Sequence, residues 1–384
     1  MKVLFIGHNA SYSGAPKSLL RIMKYLRRNR LAEFECLLRN DGPMQDEYRE
    51  VCKVHHFLPE HLIPQNELFA DLSRKIRLRR HRAQMLAELK NKNFDLIYSN
   101  TVVNANVLEF LAPLQLPVVS HQREMHTAID SYGGKPMITT LDRFTNRYIS
   151  VSNKAKSVLV EYGVSPDKIE VVYNFLEEDE MFSDSPEERS RIRASLGIPD
   201  NAVVVGNVGT INLRKGFDLF IETASRINRA HPEVHFVWVG GGADDEVLKP
   251  LEQLPSGIRQ KVHLTGEIPH PYGYYQALDI LLLTSRDDPF PLTAMEAAFY
   301  SKPVVCIDHT GGIPEALANE RSLIADKPDA DSIEKVLSPL IADGDLRSSL
   351  GRSTHKELYE ELKIDKQMEK ILRIISEVIN RQRG

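Results

Sequence analysis

The chain has 384 residues, 42% of them hydrophobic and 27% charged, with a formal net charge of −4. That length suits about two domains, each able to bury its own core, and the average Gly and Pro content, 21 of each, without repeats, excludes collagen, disorder and solenoid arrays. The charge excludes a wholesale basic coat for nucleic acid, and Cys36, Cys52 and Cys306 lack zinc or dithiol spacing, which points to a reducing, cytoplasmic compartment.

The opening Met1-Lys2-Val3-Leu4-Phe5-Ile6-Gly7 holds too few apolar residues for a signal-peptide core and reads as a first strand. No run of ~18 apolar residues occurs, so nothing is expected to span a bilayer. Further strands are expected at 33–38, 94–99, 117–121, 147–152 and 169–173, with helical periodicity between most of them. The segment Asn174 to Pro186 breaks the pattern with an acidic run and a Ser/Pro pair, and reads as an inter-domain connection. Beyond it the alternation restarts at 202–208, 234–239, 262–265, 280–284, 303–308 and 322–325. A last helix, 365 to 380, carries Met368, Ile371, Leu372, Ile375, Val378 and Ile379 at helical spacing and should pack back on the body.

This is the pattern of an α/β protein with two doubly wound sheets: residues 1–176, residues 177–364, and a C-terminal helix in 365–384. Open parallel sheets bind ligands at the carboxyl ends of their strands, so a cleft between the domains is the expected site. The charge is unevenly shared, +7 over residues 1–176 and −11 over the rest, which leaves anionic partners open to the first domain.

Five places carry candidate chemistry. After the first strand, Ser13-Gly14-Ala15-Pro16 opens a helix with a small-residue turn whose amides can approach an anion; an ordinary tight turn competes. In Gly209-Thr210-Ile211-Asn212-Leu213-Arg214-Lys215-Gly216 two adjacent cations sit at a helix amino end, where the helix dipole disfavours them unless an anion binds. In Ser285-Arg286-Asp287-Asp288-Pro289-Phe290-Pro291-Leu292-Thr293 the prolines start a helix whose first amides, near Leu292 and Thr293, can point at a phosphate. Asp288 and Glu296, eight residues apart, then bracket an elongated ligand with hydroxyls at both ends, or act as a helix cap and an ion-pair partner. Asn100 and His121-Gln122-Arg123-Glu124 end two strands of the first domain and can position an acceptor or shuttle a proton. Gly240 and Gly266 leave room for a flat base or form plain turns. Separately, Arg74 to Arg82 begins a cationic helix that reads as a face for an anionic membrane or as a solvated surface.

Taken in this order, with Thr310-Gly311-Gly312-Ile313-Pro314-Glu315, the motifs resemble the retaining glycosyltransferases of family four, over essentially the whole chain. The resemblance implies the GT-B fold, two facing Rossmann-like domains with an inter-domain cleft, and metal-independent transfer of a hexosyl or related unit from a nucleotide-diphosphate sugar to an acceptor hydroxyl. It implies no cofactor beyond that co-substrate, and an acceptor glycan of a surface polysaccharide or glycolipid, lipid-linked in one reading, with peripheral contact at the inner membrane face. By resemblance, Lys215 and Arg214 hold the diphosphate and Gly14 and Ala15 close over it. Glu296 takes the ribose, Asp288 stands where glutamate is commoner and contacts the sugar, and Phe290, Pro291, Leu292 and Thr293 form the amide loop. Thr210 stands where the family has an arginine, and the family's histidine maps to His121 or to Arg123. A small soluble acceptor, a nucleotide-sugar-binding protein without transferase activity, and a dinucleotide-dependent oxidoreductase are the competing readings. The last lacks a glycine fingerprint of the right spacing.

Overall fold

The computed structural model describes residues 1–59, 68–177, 181 and 185–383. The chain divides into two compact units, Met1–Tyr173 with Asp365–Gly384, and Asn174–Ile364. The division thus falls between Tyr173 and Asn174 rather than at 176, and the last helix is part of the first unit. Of the expected connection, residues 178–180 and 182–184 lie outside the described residues.

Among the described residues the first unit holds seven parallel strands, β1 (Lys2–Gly7), β2 (Glu33–Leu38), β3 (Lys53–His56), β4 (Leu96–Asn100), β5 (Val118–Gln122), β6 (Arg147–Ser150) and β7 (Ile169–Val171), in the order 3-2-1-4-5-6-7. Val3 to Ile6 are fully buried, as a central strand covered on both faces requires. The helix Gly14–Arg28 covers one face with Leu19, Leu20, Ile22, Met23 and Leu26. β3 was not expected, because Lys53, His55 and His56 make no apolar run. It exists because β2 pairs with it, Glu35 opposite Lys53 and Leu37 opposite His55, and because Glu35 holds the buried His55 at 2.6 Å. The C-terminal helix, Ile364–Arg383, buries Met368, Ile371, Ile374, Ile375 and Val378. Tyr25 donates to Asp365 at 2.8 Å, and Arg373 pairs with Glu170.

The second unit holds β8 (Val204–Val208), β9 (His235–Val239), β10 (Val262–Leu264), β11 (Ile280–Leu282), β12 (Val304–Ile307) and β13 (Ile324–Ala325), all parallel in the order 10-9-8-11-12-13. Its core centres on Trp238, packed edge-on against Phe217 and Phe220 with ring centroids 5.2 and 5.1 Å away. In each sheet the strand order reverses direction once, between β1 and β4 and between β8 and β11. Such switch points leave a crevice at the carboxyl ends of the two strands. No helix among the described residues is long and apolar enough to cross a membrane.

Candidate functional site

In the second unit, the loops after β8 and β11 flank the switch point and are bound to each other. Gly216 has φ +72°, and a Cβ there would lie 2.0 Å from the Thr284 carbonyl oxygen, so only glycine lets the cationic loop approach so closely. The Arg286 amide donates to the Arg214 carbonyl at 2.9 Å, and its guanidinium grips Asp218 through two bonds of 2.8 and 2.7 Å. Arg214 donates in turn to the Asp287 carbonyl at 2.7 Å. Lys215 reaches Asp288, Nζ to Oδ2 2.5 Å, and Ser285 Oγ donates to the same oxygen at 3.2 Å.

Behind Asp288 stands the Thr310-Gly311-Gly312 turn. The Asp288 amide donates to the Thr310 carbonyl at 2.9 Å and the Gly312 amide to the Pro289 carbonyl at 3.0 Å. A Cβ on Gly311 would lie 1.7 Å from the Asp288 carbonyl oxygen. The turn therefore fixes the backbone that carries Asp288. Phe290 is buried and its carbonyl accepts from Asn174 at 2.7 Å. The helix Leu292–Phe299 starts after Pro291, so the amides of Leu292 and Thr293 fall in its first turn, where no intrahelical acceptor exists. Thr293 Oγ1 is shielded from solvent without a protein partner. Glu296, one turn further, is buried and accepts from the Tyr275 hydroxyl at 2.6 Å. Burial, then the charge of Glu296, pushes the Tyr275 phenol far up, so it keeps its proton and donates.

The glycine turn after β9 adjoins the cationic loop, and the turn after β10 meets the β9 turn through a Gly240–Gly266 bridge. The Gly209 amide donates to the Val239 carbonyl at 2.9 Å, Ile211 to Gly241 at 2.9 Å, and Trp238 Nε1 to the Gly209 carbonyl at 2.7 Å. Thr210 is exposed on this loop. A Cβ on Gly240 would meet the Gly209 oxygen at 1.9 Å, so only glycine fits where these two loops touch. Gly266 opens onto empty space.

In the first unit, Gly14 is exposed at the start of its helix, and the Ala15 carbonyl accepts from Asn100 Nδ2 at 2.9 Å. Asn100 Oδ1 accepts from Arg123 Nε at 2.6 Å. Arg123 Nη2 and the Tyr98 hydroxyl face His121 Nδ1 at 3.2 and 2.5 Å. Both neighbours are donors, so Nδ1 accepts and the ring proton sits on Nε2, which is buried without a partner. Burial, then Arg123, holds His121 well below the usual histidine range, so it is neutral, and at 1% exposure it is closed to solvent. Glu124 Oε2 accepts the amides of Arg123 (2.9 Å) and Val102 (3.2 Å), yet burial outweighs them and pushes its carboxyl up to about 7. Thr101 between these strands has φ +88°, an outlier for a β-branched residue, held by its amide bond to the His121 carbonyl at 2.8 Å.

The sequence reading thus gathered Asn100, His121, Arg123 and Glu124 in one place, and Lys215, Arg214, Asp288, Phe290 and Glu296 in another. It missed Tyr98, Tyr275 and Asn174, whose partners lie 23, 21 and 116 residues away, and Ser285, a local partner of Asp288 three residues before it. Glu35, His55 and Glu88 lie close enough to share a cation, but Lys92 already pairs with Glu35 at 3.0 Å and Lys53 with Glu88 at 2.5 Å, so ammonium groups neutralise those carboxylates.

Residues 188–357 match the family model described as glycosyl transferases group 1, and residues 12–180 match that of glycosyltransferase family 4. A D-inositol 3-phosphate glycosyltransferase of Corynebacterium jeikeium is 29% identical over 53% of this chain and 50% of that protein. An alpha-galactosylglucosyldiacylglycerol synthase of Streptococcus pneumoniae is 28% identical over 39% of this chain and 40% of that protein. The chain thus spans about half the length of such relatives or less. Among solved structures, Anabaena Alr3699/HepE in complex with UDP and glucose superposes with a TM-score of 0.80 at 19% identity, over 98% of this chain and 99% of that one. WaaG, a glycosyltransferase involved in lipopolysaccharide biosynthesis, gives a TM-score of 0.71 at 16% identity, over 97% and 99%. At these identities the superpositions speak for the fold alone, GT-B, with two Rossmann-like domains.

Proposed function

Because the chain belongs to the group 1 glycosyltransferases, we propose that it moves a glycosyl unit from a nucleotide-diphosphate sugar to an acceptor hydroxyl, with retention of configuration, in the assembly of a surface polysaccharide or glycolipid. The observation that carries the reading is the loop pair at the β8/β11 switch point, which sets Arg214, Lys215, the first amides of helix Leu292–Phe299, Asp288 and Glu296 around one strand end. In this reading the cations and helix amides, rather than a metal or cofactor, stabilise the departing diphosphate as its negative charge develops. Glu296, oriented by Tyr275, accepts from the ribose hydroxyls, and Asp288 accepts from the sugar. The acceptor hydroxyl attacks on the face the diphosphate leaves, and that diphosphate takes its proton. Asn100 and Arg123, hydrogen-bonded to each other behind the Gly14 turn, serve the acceptor side.

The partner expected beside the donor is a lipid-linked acceptor at an anionic membrane. Helix Leu68–Lys90 supports this: His81 and Arg82 bond the His56 and Phe57 carbonyls at the carboxyl end of β3, so the turns before them stand beyond that end of the sheet. Those turns expose Lys75, Arg77, Arg79, Arg80 and Ile76, with no acidic residue from 74 to 87. A small soluble acceptor is the second reading, favoured by the relative named for D-inositol 3-phosphate.

Incubation with a panel of nucleotide sugars tests the enzyme: binding with neither transfer nor slow donor hydrolysis overturns it. Flotation with vesicles containing phosphatidylglycerol separates the acceptors, since a protein that stays in the soluble fraction leaves only the soluble one.

A further inference from the structure

Lys215 and Asp288 occupy each other. Their side chains are only 13% and 12% exposed, and the 2.5 Å contact leaves the lysine on the carboxylate to which Ser285 also donates. Removing one partner of such a shielded pair leaves an uncompensated charge. Asp288 cannot follow the lysine away, because its backbone is bonded to Thr310 and pressed on Gly311. Lys215 can move, being a charge on a flexible four-carbon stem.

We propose that the Lys215–Asp288 pair discriminates an intact nucleotide sugar from the nucleoside diphosphate it leaves behind. The proposal rests on the donor-site reading above. A diphosphate draws Lys215 off Asp288 and brings a second anion beside the uncovered carboxylate. A sugar on that diphosphate supplies hydroxyl donors to Asp288 and replaces the lost ammonium contact. A nucleoside diphosphate alone supplies none. After transfer the sugar departs, Asp288 is bare, and Lys215 returns to it and loosens the product.

The test is calorimetric titration of the full chain with UDP, GDP and ADP and with UDP-glucose, GDP-mannose and ADP-glucose. In Asp288→Asn, or Asp288→Ala should the amide variant not fold, the diphosphate that the wild type binds should bind about tenfold more tightly, the factor that ~1.4 kcal/mol of relieved pairing gives. The preference for the sugar-bearing ligand should shrink with it, and product inhibition of transfer should strengthen. Asp288→Glu, which keeps a carboxylate within reach, should hold the wild-type ratio. Unchanged or weaker diphosphate binding in the folded Asn or Ala variant overturns the proposal. Failure of the donor-site reading looks different: either none of the six ligands binds the wild type, or Lys215→Ala leaves their affinities unchanged.

Discussion

Asp288 and Glu296 lie on one loop-and-helix segment, yet their surroundings differ: an ammonium and a serine hydroxyl on the first, a buried phenol on the second. In the proposed reading that difference gives them different ligands, because Asp288 must give up its ammonium partner when an anion arrives. If Lys215 holds the diphosphate as proposed, its replacement by alanine should cost roughly 2–3 kcal/mol of donor affinity, the loss of one charged hydrogen bond; equilibrium titration reads this directly. Glu124 gives a pH signature. Its carboxyl, pushed up to about 7 by burial, binds its proton more tightly folded than unfolded, so the stability it contributes is complete below the ordinary glutamate range and is lost as pH rises through about 7. Glu124→Gln should therefore be more stable than the wild type at pH 8, with the gap closing as pH falls toward 4.5. Urea titrations at both pH values check it, and a gap that widens toward acid would contradict the assignment.

At the scale of elements, the loop after β11 is set by its neighbours more than by its own residues. The prolines of Asp288-Pro289-Phe290-Pro291 set local backbone direction, but the turn at Gly311 and the amide of Asn174 decide where the loop sits. Gly311→Ala would place a methyl 1.7 Å from the Asp288 oxygen, which real structures do not tolerate. The loop must shift, at a cost of about 1–3 kcal/mol in stability as for other overpacked sites, and donor KM should rise. Thermal unfolding and initial rates report the two effects separately. The cationic loop, the Asp-Pro-Phe-Pro loop and most strands were legible in the sequence because their signal lies in consecutive residues. β3, the Tyr275 contact and the Gly311 turn were not: each depends on a partner far along the chain, and Lys53-Val54-His55-His56 shows no strand pattern by itself.

Over the whole molecule, four shielded histidines act in acid: His121 and His235 are buried, His8 and His263 half-buried. His8 and His235 are each pulled down to about 4, chiefly by burial, His121 is held well below the usual histidine range, and His263 is lowered too, two in each unit. Each is neutral when folded and takes up a proton when unfolded below about 6.5. Stability present above that pH should therefore be lost as pH falls toward 4, by up to ~1.4 kcal/mol per pH unit for each fully buried ring. Urea midpoints at pH 7 and pH 5 measure it, and equal midpoints would contradict the neutral state of His121 and His235 in the folded chain. The sequence by itself determined the two α/β units, the strand-end position of the chemistry and the identity of its charged groups, because alternation, punctuation and adjacent cations are local properties. Only the tertiary structure decided that the last helix joins the first unit, that Gly240 serves a loop contact, that His121 is sealed and neutral, and that Lys215 rests on Asp288. Burial and pairing depend on what the chain brings from far away, and no window of consecutive residues contains that.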